Sequence, residues 1–260
     1  MNAGDVLKRA GVVTGVAAGV LGAAYGAERA VVARIRHRED PDADSPLVPS
    51  FDEARQIEGH DGGILYVISR GEGPPVLFAH GVTLSSRLWA KQFESLPAAG
   101  FQALAFDSRG HGQSTVGESG HSIDNLADDL RTVLESLDLH DAILVGHSMG
   151  GMAIQAFVIR HPDIAHDRVR GLVLMSTAAR MRVSDARRTR GTLERLAGYT
   201  PDVGLLLRQK NLGFLLARIG FGDDPHASHV EVTRQMLASC SRATLLDASR
   251  ALLSLDLRGG

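Results

Sequence analysis

Short apolar runs alternate with longer stretches of helical periodicity through the middle of this chain. Residues 64–69 (ILYVIS) are closed by the turn-forming run RGEGPP, which predicts a strand followed by a turn. Residues 76–79 (VLFA) and 102–106 (QALAF) are unbroken apolar runs of the kind buried on both faces of a parallel sheet. Residues 142–145 (AILV) and 171–175 (GLVLM) read as further strands. Between them, residues 87–96 have a helical pattern, and Ile123, Leu126, Leu130, Val133, Leu134 and Leu137 recur on one helical face. Residues 149–160 form another helix. Strand and helix in strict alternation predict an α/β fold, a mostly parallel sheet covered on both sides. Beyond residue 179 the strand pattern ceases, and helical stretches at 203–207, 214–219, 230–237 and 243–253 are separated by Gly, Pro and Asp.

Ahead of this region lie two segments of different character. Residues 10–26 (AGVVTGVAAGVLGAAYG) carry no charge and follow Lys8 and Arg9. Seventeen residues sit at the short end of the ~17–25 that span a bilayer as a helix. Gly11, Gly15 and Gly19 repeat every fourth residue, a spacing that lets two helices approach closely in lipid. A membrane anchor is the first reading. A secretory signal with small residues near Ala24 and Ala27, and a soluble helix, are the rivals. For an anchor, Arg29, Arg34, Arg36 and Arg38 outnumber Lys8 and Arg9, which places the large domain in the cytoplasm; the rival readings leave it secreted or cytoplasmic. Residues 37–50 (HREDPDADSPLVPS) have four acids and three prolines, the composition of an exposed linker. The expected organisation is thus 1–50 as hydrophobic segment and linker, 51–180 as the α/β core, and 181–260 as a helical region.

A length of 260 residues with 44% hydrophobic content suffices for one sizeable core. Twenty-eight basic against 30 acidic residues give no global positive field, which argues against a nucleic-acid partner. The single cysteine, Cys240, excludes an intrachain disulfide and a cysteine-cluster metal site.

The chemistry concentrates at three strand ends. Gly146-His147-Ser148-Met149-Gly150-Gly151 satisfies Gly-x-Ser-x-Gly between a predicted strand and a predicted helix. A serine nucleophile needs its hydroxyl raised on a sharp turn, and the glycines remove the side chains that would collide there. The helix starting at Met149 turns its first amides toward a developing oxyanion. His80-Gly81-Val82-Thr83 follows the strand VLFA, and acyl transfer needs a second amide donor from such a loop; Val82 and Met149 are the expected pair. The third motif is Asp107-Ser108-Arg109-Gly110-His111-Gly112-Gln113-Ser114, a tight loop after QALAF.

Together, FAHGVTLSSRLW, DSRGHGQS and GHSMGG resemble the α/β-hydrolase superfamily, most closely its non-haem haloperoxidase and aryl-esterase-like serine hydrolases. The resemblance covers residues 64 to about 179. It implies an α/β-hydrolase fold with a helical cap over the site, Ser148 as nucleophile, Val82 and Met149 as the oxyanion hole, and a small-molecule acyl substrate, with no cofactor and no metal. It also implies that His80 orients its loop and that Arg109 and His111 are scaffold. Members follow the cap with further strands bearing the acid and histidine of the triad, and this chain ends at Gly260, about where those strands would begin. The C-terminal strands are therefore expected to be missing. The later histidines, His161, His166, His226 and His229, are not spaced so as to define a base, although His226 and His229, beside Asp223 and Asp224, lie in the cap. Two functions follow: an ester or similar acyl hydrolase working through an acyl-enzyme at Ser148, or a catalytically silent binding or membrane-tethered module. The basic residues Arg180, Arg182, Arg187, Arg188, Arg190 and Arg195 make the first part of the cap a solvated face, or a contact for an anionic membrane surface or an acidic substrate.

Overall fold

The computed structural model describes residues 25–45, 47–181 and 203–259. Its centre is a six-stranded sheet: β1 (Glu53–Glu58), β2 (Ile64–Arg70), β3 (Pro75–Ala79), β4 (Gln102–Phe106), β5 (Ala142–His147) and β6 (Val169–Met175), in the order β1-β2-β4-β3-β5-β6. β1 pairs antiparallel with β2 and β2 antiparallel with β4, while β4, β3, β5 and β6 run parallel. The apolar runs seen in the sequence form β2 to β6. β1 escaped notice because only Ile57 of its six residues is buried, so it carries no hydrophobic alternation.

The strand pleat divides the core into two layers. Leu77 and Ala79 of β3, with Leu65, Val67, Leu104 and Phe106, face α3 (Ile123–Ser136) and α4 (Met149–Arg160). Val76 and Phe78, with Ile68, Ala103 and Ala105, face α2 (Ala90–Ala98), where Phe93 is fully buried and Trp89 stacks 4.6 Å from Phe78. α3 starts at Ser122, whose hydroxyl accepts the Asn125 N–H at 3.0 Å, and buries Ile123, Leu126, Leu130, Val133 and Leu134 along one face. The face is the one the periodicity predicted. The short helix α5 (Pro162–Arg168) then leads into β6. β6 is the edge of the described sheet, and Leu172, Val173, Leu174 and Met175 are each 43–44% exposed.

The later helices are α6 (Val203–Arg208), α7 (Lys210–Arg218), α8 (Ala227–Ser239) and α9 (Arg242–Leu253). α9 rests on the main core through Ala248 and Ala251, and the Thr244 hydroxyl donates to the Gly110 carbonyl at 3.1 Å. Backbone bonds then join the chain on either side of these helices: Leu257 N–H to Ala179 C=O at 2.9 Å and Met181 N–H to Leu255 C=O at 3.3 Å.

The N-terminal part differs from its sequence expectation. Residues 25–36 are helical (α1), and Val32 and Ile35 are buried against Phe214, Ala217 and Val230 of α7 and α8. The Arg36 guanidinium lies 4.9 Å from the Phe214 ring centre. Residues 40–42 are held against α8 by side-chain bonds from Asp40 and Asp42 rather than standing free as an exposed linker. Composition missed this because acids that cap or pair look the same in a sequence as acids that are merely solvated. The apolar stretch 10–26 lies almost wholly outside the described residues, and the arginine-rich stretch 182–195 lies wholly outside them. Among the described residues no helix is long and apolar enough to cross a membrane.

Candidate active site

Ser148 sits at the junction of β5 and α4 with φ 50° and ψ −114°. A residue with a Cβ pays for that conformation, so the surroundings must hold it in place. They do so from both sides. The Ser148 N–H donates to Met175 C=O at 2.9 Å, and the Ser148 C=O accepts from the Thr177 hydroxyl at 2.7 Å and the Met152 N–H at 3.1 Å. Close packing requires glycine nearby: a Cβ on Gly146 would lie 2.6 Å from Gly151 N, and one on Gly150 would run into the Ala79 carbonyl. The turn thus presses the start of α4 onto the end of β3.

Opposite the serine is the loop after β3. A Cβ on Gly81 would lie 3.3 Å from Ser148 Cβ and 2.8 Å from His147 Nδ1, so this backbone runs directly against the Ser148 turn. The loop is folded back by a Leu84 N–H to Gly81 C=O bond of 3.2 Å, with Thr83 at φ 62°. Among the described residues neither the Val82 nor the Met149 N–H is taken by a backbone carbonyl. Met149 is the first residue of α4, where amides have no partner within the helix.

His80 is fully buried and both of its ring nitrogens are engaged: Nδ1 donates to Gly81 C=O at 2.7 Å and Nε2 accepts the Ser108 N–H at 2.9 Å. Burial, reinforced by the neighbouring His111, drops its pKa to about 3. It is a neutral strut between two loops. Asp107 serves the same loops, accepting the Ser86 N–H at 2.7 Å and the Gln113 N–H at 2.9 Å. Arg109, 1% exposed, forms a fork on Asp129 at 2.7 and 2.6 Å and reaches Asp61 at 2.8 Å and Gly120 C=O at 2.8 Å. Burial works to raise the Asp61 pKa, but the Arg109 guanidinium overrides it and holds the carboxyl down at about 2. The role of Asp61 and Asp129 was not visible in the sequence, since neither belongs to a local motif.

A family model for the α/β-hydrolase fold matches residues 74–236. The chain belongs to the α/β-hydrolase fold family. It is similar to a non-heme chloroperoxidase of Kitasatospora aureofaciens, 41% identical over 116 residues that make up 45% of this chain and 41% of that protein. It is also similar to a bifunctional esterase/perhydrolase of Acinetobacter calcoaceticus, 41% identical over 40% of this chain and 37% of that protein. The matched stretch thus spans about two fifths of the length of these curated relatives. Among solved structures, an esterase from Exiguobacterium antarcticum superposes with a TM-score of 0.68 at 22% identity, covering 80% of this chain and 76% of that one. A thermophilic esterase from Thermogutta terrifontis gives 0.62 at 26% identity, covering 78% and 73%.

In this member of the α/β-hydrolase fold family the histidines after Ser148 go elsewhere. His161, at the far end of α4, pairs with Asp128 at 2.6 Å, and His166 lies in α5. His229 pairs with Asp42 at 2.8 Å and His226 lies 3.7 Å from Asp40, while Asp224 pairs with Arg38. The acids expected beside His226 and His229 are therefore not their partners. His147 packs against Gly81, and burial lowers its pKa. Among the described residues no imidazole or carboxylate hydrogen-bonds the Ser148 hydroxyl.

Proposed function

We propose that the chain is a serine hydrolase for an ester or a similar small acyl substrate. The supporting observation is Ser148, held at positive φ with the loop after β3 against it, and two amides, Val82 N–H and Met149 N–H, that no backbone carbonyl takes among the described residues. In the proposed reaction Ser148 Oγ attacks the substrate carbonyl carbon and its proton passes to a base. The carbonyl oxygen takes the electron pair and is met by the two amides and the α4 dipole. Collapse expels the alcohol, which takes the proton, and leaves an acyl-enzyme that water hydrolyses. No cofactor is part of this scheme. Residues 51–180 serve as the catalytic core and 181–260 as the cap that shapes the substrate pocket.

A second reading is a catalytically silent binding or membrane-tethered module. It is favoured by the lack, among the described residues, of an imidazole on the Ser148 hydroxyl. In a serine protease, losing the histidine costs on the order of 10⁶ in turnover, so the two readings differ far beyond experimental scatter. The test is labelling with a fluorophosphonate together with turnover of nitrophenyl acetate. The hydrolase reading expects both, each lost in Ser148→Ala; equal labelling of the two proteins would remove Ser148 from the mechanism, and failure of both assays in a folded protein would favour the silent module. Attachment of residues 10–26 to a membrane, with the large domain cytoplasmic, is a separate proposal that rests on their composition alone; a secreted or cytoplasmic location is the alternative.

A further inference from the structure

The segment between α1 and β1 meets the first turn of α8 in a compact group of acids and imidazoles that shares no hydrogen bond with the Ser148 turn. Asp40 caps α8 from outside the helix: its carboxylate accepts the Ser228 N–H at 2.8 Å and the Ser228 hydroxyl at 3.0 Å. Asp42 turns one oxygen to Lys91 Nζ at 2.6 Å and the other to His229 Nε2 at 2.8 Å. The Lys91 bond, against a smaller opposing effect of burial, holds the Asp42 carboxyl below the usual carboxylate range, so it is an anion.

His226 and His229 stand three residues apart at the start of α8, with ring centres 5.5 Å apart. His226 Nδ1 is 3.8 Å from the Asp42 oxygen that binds His229. It is enclosed and has no hydrogen-bond partner among the described residues. An ordinary ion-pair network accounts for His229, Asp42 and Lys91 and brings His226 Nδ1 within 3.7 Å of Asp40 and 3.8 Å of Asp42, but it leaves that nitrogen without a hydrogen bond among the described residues.

One ligand atom from each of Asp42, His226 and His229 lies within 4.8 Å of the other two. A tetrahedral zinc ion, with bonds of about 2.0–2.2 Å to imidazole nitrogen and carboxylate oxygen, holds its ligand atoms about 3.4 Å apart. The two separations to Asp42, 2.8 and 3.8 Å, bracket that distance. An ion entering here would open one hydrogen bond and draw in the unpartnered nitrogen, each by about half an ångström. Two imidazoles with one carboxylate are also a donor set that suits zinc better than calcium or magnesium.

We propose that Asp42, His226 and His229 bind a zinc ion, with water in the fourth position, and that the ion staples residues 40–42 to the cap helix α8. Lys91, from α2 of the core, holds the same carboxylate, so the ion joins core, cap and N-terminal segment at one point. It is independent of the chemistry at Ser148.

The test uses the full untagged chain and Zn²⁺ alone. Titration calorimetry is expected to show one ion per chain, and zinc at 100 times the dissociation constant to raise Tm by about 5 °C or more. Co²⁺ in its place should give visible absorption of tetrahedral intensity. His226→Ala and His229→Gln should each weaken binding by at least about 10- to 100-fold. Lys91→Met, which removes a competing cation from Asp42, should bind at least as tightly, and His140→Ala should bind as the parent does. No binding by the parent chain, or unchanged affinity in both His226→Ala and His229→Gln with their helical circular dichroism intact, would overturn the proposal. A tenfold loss in Lys91→Met would overturn it too.

Discussion

Replacing the Ser148 side chain by hydrogen should stabilise the protein while removing its proposed nucleophile. The reason is the backbone at this residue, φ 50° and ψ −114°, pinned by bonds to Met175 and from Thr177 and Met152. Holding a residue with a Cβ in such a region costs on the order of 1–3 kcal/mol, which glycine does not pay. Glycine in turn widens the unfolded ensemble, at a cost of about 0.4–1 kcal/mol. The Ser148 hydroxyl has no hydrogen-bond partner among the described residues, so little else is lost. The net expectation for Ser148→Gly is a gain of about 1 kcal/mol, or about 2–4 °C in Tm for a chain of this size. Ser148→Ala keeps the Cβ and the strain, and should stay within about 0.5 kcal/mol of the parent. Urea unfolding followed by circular dichroism, with the three proteins side by side, separates the two effects. The predicted order is Gly above Ala and parent together. A glycine variant no more stable than the alanine variant would mean that the turn is not strained, and the account of why glycines surround it would fail with it.

Acidification should destabilise the fold well above the carboxylate range. His80 titrates near its ordinary 6.5 when unfolded but at about 3 when folded, so the unfolded chain binds the extra proton. The contribution is complete above pH 6.5 and falls by about 1.4 kcal/mol per pH unit on the way down to 3; a flat stability between pH 6.5 and 5 would contradict the buried neutral state. His121, lowered to about 4 mainly by burial, works in the same direction. Arg109→Met should cost about 3–5 kcal/mol by leaving the carboxylates of Asp61 and Asp129 buried without a cation; a loss under 1 kcal/mol would show that this ion group is not a structural anchor. Deleting residues 1–24 should release the protein from a membrane pellet and leave the described fold intact. Deleting 1–36 should also lower Tm, because Val32 and Ile35 leave the cap cluster. Equal melting of the two deletions would refute the packing of α1.

The parallel part of the sheet was legible because burial on both faces writes itself into short apolar runs such as VLFA and QALAF. The β1 strand was not legible, since a half-solvated edge strand such as EARQIE needs only one buried residue. The N-terminal helix is a case of mistaken grouping. Its buried residues, Val32 and Ile35, sit among Arg34, Arg36 and Arg38, and in sequence that charge outweighed two apolar positions three apart. Its partners, Phe214 and Val230, lie some two hundred positions away, beyond the reach of any local pattern.

The same contrast runs through the site. Gly-x-Ser-x-Gly is readable because the residues that must be small sit within five positions of one another: the Ser148 turn can form only where Gly146 and Gly150 leave room for Gly151 and for the Ala79 carbonyl. The loop after β3 is half readable. Gly81 has to be small because His147 and Ser148 lie against it, yet that pressure comes from a strand more than sixty residues later. Arg109 could be read as scaffold only by resemblance. What makes it scaffold is the pair Asp61 and Asp129, one before the β2 strand and one inside α3, which leave its guanidinium no free donor face toward a substrate. The histidines show the limit most plainly. His226 and His229 lie beside Asp223 and Asp224 in the chain, a spacing that defines no partner; the fold brings them to Asp40 and Asp42 and sends Asp224 to Arg38. A side chain's neighbours along the chain decide what turn it can make, but the charge it meets is decided by which elements pack together. That is why the Gly-x-Ser-x-Gly turn was legible and the partners of the imidazoles were not.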